Sequence, residues 1–283
     1  MKRLIFHSNN LLHCIGAAAL SILVFLPQAE AATSPWQESL GGRMRLISGG
    51  TVDGHYKAGL EIVLDAGWKT YWKVPGDSGI PPLIDASGSG NMAKMEIRWP
   101  APVRYKVGTS EMLGFKDAII FPILVTPDDD GEPVELKINA QLGLCSELCV
   151  PIAADLSLDI SGGDNFDPGA ELLIDRDMAL VPGVPSEGFS IADIAQETPD
   201  NAPGRLLIST RIPDGYGDKD LFVEGPEGWL LPLAKPLALN GDTQQFELLL
   251  EGLPKGAVTK GAQLTFTLTN GDDAVEQSIT LKN

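Results

Sequence analysis

The sequence predicts an all-β protein: two antiparallel β-sandwiches in tandem behind an export leader. Three observations predict it. Short alternating or apolar runs recur with turn residues between them. Roughly 250 residues remain once the leader is set aside, enough for two domains with a core each. A stretch rich in Gly, Pro and Asp over residues 162–188 interrupts the strand rhythm.

The leader comes first. Lys2 and Arg3 precede an apolar run over residues 14–26, followed by the small-residue site Ala29-Glu30-Ala31. That order is a secretory signal over residues 1–31, cleaved after Ala31. The run falls short of the roughly 20 residues that span a bilayer, and no later segment approaches that length. The mature chain is therefore expected to be soluble, with no membrane span of its own. Cys14 opens the apolar run instead of closing it, which argues against acylation.

The first sandwich, residues 32–162, takes its strands from residues 43–48, 56–64, 68–73, 119–125, 134–142 and 156–160, each a short apolar or alternating run bounded by turn signals. Residues 163–187 read as a linker, within which residues 170–180 can form one short helix. The rhythm resumes in a second sandwich, residues 188–283, with strands at 206–211, 221–224, 245–251, 263–269 and 275–281. Many short antiparallel strands at this spacing suit the immunoglobulin-like type of sandwich.

Without Lys2, Arg3 and Glu30 the chain keeps 19 basic and 37 acidic residues, a formal charge of −18. Nucleic acid is excluded as a partner class, because phosphate binding needs a basic footprint. The acidity is that of a soluble exported protein, and would also suit a basic partner.

Cys145 and Cys149, in Cys145-Ser146-Glu147-Leu148-Cys149-Val150-Pro151, are the only thiols beyond the leader. A bridge stapling the two sheets of an immunoglobulin domain would join distant strands, whereas these residues belong to one local segment. In a continuous strand their Cα atoms would lie roughly 13 Å apart, about twice what a disulfide tolerates, so the chain must turn between them. Closing so small a loop removes only about 2 kcal/mol of unfolded-state entropy. Stability is a weak reason to keep such a pair, and a locally closed disulfide is the kind that exchanges readily. Redox exchange is the favoured reading, with a local structural bridge and metal binding as the alternatives. His55 is the one histidine beyond the leader, and no Lys or Arg lies within seven positions of either cysteine. Nothing nearby in sequence generates a thiolate, and Glu147 opposes one. A passive relay follows, reduced by one protein and reducing another, with docking supplying the geometry.

The run Gly67-Trp68-Lys69-Thr70-Tyr71-Trp72-Lys73-Val74-Pro75-Gly76-Asp77-Ser78-Gly79-Ile80-Pro81-Pro82, then Trp99-Pro100-Ala101-Pro102, Leu113-Gly114-Phe115-Lys116-Asp117 and the cysteine segment, resembles the N-terminal periplasmic domain of the DsbD/ScsB family of thiol-disulfide reductases. The resemblance extends over residues 36–160, and the two-sandwich arrangement of the ScsB branch would account for the rest. It implies an immunoglobulin-like domain that takes reducing equivalents from a membrane thiol-disulfide reductase and hands them to periplasmic thioredoxin-fold clients. It also implies work connected with cytochrome c biogenesis and copper tolerance. The cofactor would be the disulfide itself: Cys145 and Cys149 would cycle between disulfide and dithiol, with Cys149 forming mixed disulfides and Cys145 resolving them. Three departures accompany it. Three residues separate the cysteines here, against five in the DsbD proteins. The stretch matching the aromatic-tipped cap loop, residues 105–112, offers Tyr105 and, nearby, Phe115. The chain shows neither a membrane segment nor a thioredoxin-like domain, so its electrons would come from a separate protein.

Trp68, Tyr71 and Trp72, with Tyr105, Phe115 and Pro151, are candidates for the wall of the site or a docking surface, since aromatic side chains exclude water and present flat faces. Alternation puts Trp68 and Trp72 with Thr70 on one sheet face and Tyr71 on the other, so one or two of these rings belong to the core. Residues 75–82 are expected to form a loop, with a part in shaping the site as one reading. Gly76-Asp77-Ser78-Gly79 spells a serine-protease nucleophile motif, but the single His55 is poorly placed for a triad. Asp128-Asp129-Asp130-Gly131 lacks the alternating ligands of a calcium loop and reads as a solvated turn. No metal site is expected. Two other function classes stay open: copper binding or delivery by the two thiolates, and a non-catalytic protein-binding sandwich with a local disulfide.

Overall fold

The computed structural model describes residues 32–77, 79–161, 167–198, 203–214, 217–240 and 243–282. The leader expected over residues 1–31 and Ser78 of the protease-like motif lie outside them. The strands are β1 (Gln37–Ser39), β2 (Gly42–Val52), β3 (His55–Leu64), β4 (Lys69–Gly76), β5 (Leu83–Asp85), β6 (Met92–Ile97), β7 (Val103–Val107), β8 (Ser110–Lys116), β9 (Ala118–Pro127), β10 (Val134–Cys145) and β11 (Cys149–Ile160). Helix α1 (Pro168–Met178) follows, then β12 (Ser190–Glu197), β13 (Arg205–Arg211), β14 (Lys219–Glu224), β15 (Lys235–Asn240), β16 (Thr243–Leu249), β17 (Gln263–Asn270) and β18 (Asp273–Thr280).

Two sheets, ordered β1-β2-β3-β9-β6 and β11-β10-β4-β8-β7 with β5 added against β10, face each other. Alternate residues of β3, β9 and β10 point inward, among them Leu60, Ile62, Phe121, Ile123, Leu136, Leu142 and Leu144, and they fill a core with Trp72 and Leu113. A second pair, β12-β13-β16-β15 and β14-β17-β18, encloses its own core of Leu206, Ile208, Phe246, Leu248, Leu264 and Phe266. The strands read from sequence all fall on observed ones, most with ends shifted by up to four residues, but the one read at 156–160 is only the last part of β11, which begins at Cys149. Those without a reading, β1, β5, β6, β7, β8, β12 and β15, are mostly short or carry charged residues inside the run, as in Val103-Arg104-Tyr105-Lys106-Val107.

One expectation needs correcting. Residues 75–82 are not wholly a loop, because Pro75 and Gly76 end β4. After a bulge between Tyr71 and Gly76, Gly76 pairs with Met112 at a φ of 91°, where a Cβ would lie 2.7 Å from the Glu111 carbonyl oxygen.

The expected helix forms two residues earlier than residues 170–180. The Asp167 side chain accepts from the Gly169 N–H, and proline occupies the first helical turn, where its missing N–H costs nothing. The helix is no free tether. Ala170 and Ile174 pack on Ile47 and Ile120, on the outer face of the first sheet. Gly59 permits the approach: a Cβ there would meet Ile120 Cγ2 at 2.6 Å and Ile174 Cγ1 at 3.1 Å. Lys57 Nζ donates to Glu171 at 2.9 Å and to Asp175 at 2.7 Å, and the Ile120 N–H donates to Asp177.

The two sheet pairs also touch. Phe222 of β14 enters the first core, its ring 5.9 Å from that of Trp72, and Lys73 of β4 reaches Glu224 at 2.7 Å and Glu276 at 3.4 Å.

Gly59→Ala is expected to destabilise the protein by about 1–3 kcal/mol through overpacking beneath α1. A urea unfolding series checks it; an unchanged midpoint would mean the helix does not bear on this face.

Candidate functional site

The cysteines close the β10–β11 hairpin. They are direct cross-strand partners, with Cα atoms 4.0 Å apart and their sulfurs joined in a disulfide. Ser146, Glu147 and Leu148 form the connecting turn, in which the Ser146 N–H donates to the Leu148 carbonyl. The turn projects from the sheet. Glu147 is exposed, Leu148 is 75% exposed and Cys149 is exposed, whereas Cys145 is only 2% exposed. The disulfide therefore joins an exposed residue to a buried one.

Which face carries the pair follows from register. Leu144 pairs with Thr70 and Cys145 with Lys69. Side chains alternate, so Leu144, Thr70 and Trp72 point into the core while Cys145, Lys69 and Tyr71 share the outer face. On that face Tyr71, Met112 and Cys145 form a small buried cluster flanked by Ile80 and Tyr105. Glycines make room for the Tyr71 ring. A Cβ on Gly143 would lie 2.7 Å from Tyr71 Cδ2, and one on Gly79 would lie 2.6 Å from Cδ1. The ring thus lies between β10 and the residues after β4, and its hydroxyl donates to Cys149 Sγ at 3.0 Å. Burial holds the Tyr71 hydroxyl pKa above its ordinary value, so it stays a proton donor across the physiological range.

Tyr105 covers the other side. It pairs with Met112 across the β7–β8 hairpin and lies beneath Lys69, whose Nζ is 5.7 Å from the ring centroid. Burial and the Asp117 carboxylate both raise its hydroxyl pKa. Lys69 changes one expectation. No basic residue is close to the cysteines in sequence, yet the sheet sets this one opposite Cys145 on the same face.

Of the candidate wall residues, Tyr71 and Tyr105 are brought to the disulfide. Pro151 is exposed on β11 opposite Gly143, an edge strand where a missing N–H is tolerated. Trp72 and Phe115 turn into the core, at 1% and 6% exposure, and Trp68 packs against the same core and over Gly41. Met112, Lys69 and Gly143 carried no reading as site residues, whereas Gly79 and Ile80 belong to the stretch 75–82, for which a part in shaping the site was one reading. Gly143, two residues before Cys145 inside the strand, was a local signal of close approach. Met112 and Lys69 needed the register.

His55 lies on β3, in the opposite sheet, with Nδ1 2.9 Å from Thr126 Oγ1, and residues 128–130 are exposed. Among the described residues no cluster of three or more His, Cys, Asp or Glu is arranged to hold a metal ion, and no helix is long and apolar enough to cross a membrane.

Comparison with known proteins bears on this geometry. Residues 47–160 match the family "Thiol:disulfide interchange protein DsbD, N-terminal". No curated protein matches the chain. Among solved structures, the N-terminal periplasmic domain of ScsB from Proteus mirabilis is 23% identical, with a TM-score of 0.68 over 89% of this chain and 99% of that one, a likeness of fold. A conserved domain protein from Bacillus anthracis, 11% identical over 89% of this chain and 90% of that one, has a TM-score of 0.24, too low to bear on the fold. The segment from residue 47 to residue 160, with both cysteines on one hairpin, belongs to the DsbD N-terminal family of thiol-disulfide interchange domains.

Proposed function

We propose that this protein is a periplasmic relay that takes reducing equivalents from a membrane thiol-disulfide reductase and passes them to thioredoxin-fold clients through Cys145 and Cys149. The observation that carries the reading is the asymmetry of the disulfide: an exposed Cys149 bonded to a buried Cys145, on a hairpin tip. In the loading step a donor thiolate attacks Cys149 Sγ, the Cys145–Cys149 bond breaks, and Cys145 leaves as a thiolate. The donor's second thiolate then attacks the donor sulfur of the mixed disulfide. This releases Cys149, leaves the donor oxidised and moves two electrons to the pair, and each released thiolate takes up a proton from solvent. In the unloading step the Cys149 thiolate attacks a client disulfide, and Cys145 attacks Cys149 Sγ, reclosing the internal bond and freeing the reduced client.

Tyr71 has a role in both directions. Its hydroxyl, kept protonated by burial, stabilises negative charge on Cys149 by a charge-assisted hydrogen bond. Lys69 and Tyr105 shape the Cys145 side, and exposed Leu148 and Pro151 offer apolar contact to a docking partner.

In this reading residues 32–162 are the redox domain, 163–187 connect, and 188–283 form a second immunoglobulin-like domain that docks or spaces. Residues 1–31 direct export and are removed after Ala31. The family match and the periplasmic ScsB domain of like fold support the compartment and the class of client.

Purified protein equilibrated in glutathione buffers is expected to show a Cys145/Cys149 midpoint above about −300 mV, read by alkylation and mass shift. A pair still oxidised well below that value would be structural, and the relay reading would be abandoned.

Cys145→Ser is expected to accumulate a mixed disulfide through Cys149 when offered an oxidised thioredoxin-fold protein, and Cys149→Ser to form none. Non-reducing electrophoresis distinguishes the two.

Tyr71→Phe keeps the ring packing and removes the donor. Alkylation of Cys149 in the reduced protein at neutral pH is expected to slow several-fold, since a hydrogen bond to a charged group is worth about 1.5–3 kcal/mol and the higher nucleophilicity of a more basic thiolate offsets part of that. An unchanged rate would remove Tyr71 from the mechanism.

A further inference from the structure

We infer that Arg104 is a positioning residue for the disulfide, by which the second sheet pair holds in place the strand that covers Cys145. The inference rests on Cys145–Cys149 being an exchange site. It comes from the alternation of β7. Tyr105 points to the outer face, onto the cluster of Tyr71, Met112 and Cys145. Arg104, one residue earlier, points to the opposite face and is gripped there by β14: its Nε donates to Asp220 Oδ2 and its Nη2 to Asp220 Oδ1, both at 2.7 Å. Nη2 also donates to the Ala234 carbonyl at 2.9 Å, Nη1 donates to Glu111 of β8 at 2.9 Å, and the guanidinium lies 6.0 Å from the centroid of the Phe222 ring.

The grip matters because β7 is the end strand of its sheet. Among the described residues β8 alone pairs with it, and no strand lies on its other side to fix it by a backbone ladder. Arg104 and Asp220 are both largely buried, with side chains 16% and 18% exposed, so neither is readily released to water. One side chain therefore joins β7, β8 and β14. The same strand carries the cover of the disulfide on one face and the link to the second sheet pair on the other. Loosening the link frees the Tyr105–Met112 pair to lift and opens Cys145, the sulfur that is shielded when the bond is intact.

The test is the rate at which dithiothreitol reduces the disulfide in the full-length protein, followed by acid quench and alkylation. Arg104→Met and the near-isosteric Asp220→Asn are each expected to accelerate reduction at least about threefold, with the double variant no faster than the faster single, because both remove one shared interaction. Tyr105→Ala should accelerate it similarly, and adding Arg104→Met to it should change nothing further. Lys57→Met, which loosens α1 on the opposite sheet, should leave the rate as it was. Unchanged rates in folded Arg104→Met and Asp220→Asn would overturn the inference, as would an equal acceleration by Lys57→Met. The rates are read whatever the reduction potential of the pair, so failure of the relay reading, a disulfide resistant to glutathione, is seen separately in the wild-type equilibrium.

Discussion

The structure around the disulfide depends on the register of β4 against β10. Burial of Trp72 and Leu144 fixes which face of both strands looks inward, because a one-residue slip would send these large side chains to solvent and Lys69 and Tyr71 into the core. Hydrophobic burial, worth about 1.5–3 kcal/mol for each such side chain, holds the register. The outer face is then determined: Cys145, Tyr71 and Lys69 meet there because their neighbours cannot be anywhere but inside. Thr70 reinforces the pairing from the core side by donating its hydroxyl to the Gly143 carbonyl.

The outer face is assembled by different means. It has no deep core of its own, only the satellite cluster of Tyr71, Met112 and Cys145. Gly79 and Gly143 let backbone approach the Tyr71 ring, so the hydroxyl lands at hydrogen-bonding distance from sulfur without leaving the cluster. A tyrosine buried to 2% exposure needs a partner for its hydroxyl, and here that partner is the exposed cysteine. Packing and chemistry are joined in one contact.

The sheet that carries the disulfide on one face meets the second sheet pair on the other. Trp72, Leu113 and Arg104 all point to that inner side, where Phe222 completes the first core and Asp220 meets the guanidinium. The two sheet pairs are thus coupled through the thickness of a single sheet, by Trp72 on β4 beside the Cys145 strand and by Arg104 on β7 at the far edge of that sheet.

The sequence by itself determined the all-β class, most central strands, the short helix and the importance of the paired cysteines. These are local properties: period-two alternation, turn residues, and a spacing too short for an inter-sheet bridge. It also assigned Tyr71 and Trp72 to opposite faces, since alternation within one strand needs no knowledge of its neighbours. Only the tertiary structure decided which face the cysteines share. Lys69 and Cys145 lie far apart in the chain and meet by strand pairing, as do Met112 and Tyr105 through a hairpin whose charged, short strands carry little periodic signal. Phe115 reads like a site aromatic but packs on Phe121, ring centroids 5.6 Å apart, because its register with Thr70 turns it inward. Cross-strand register is a property of the packed sheets and of the bulges between them, and no single segment encodes it.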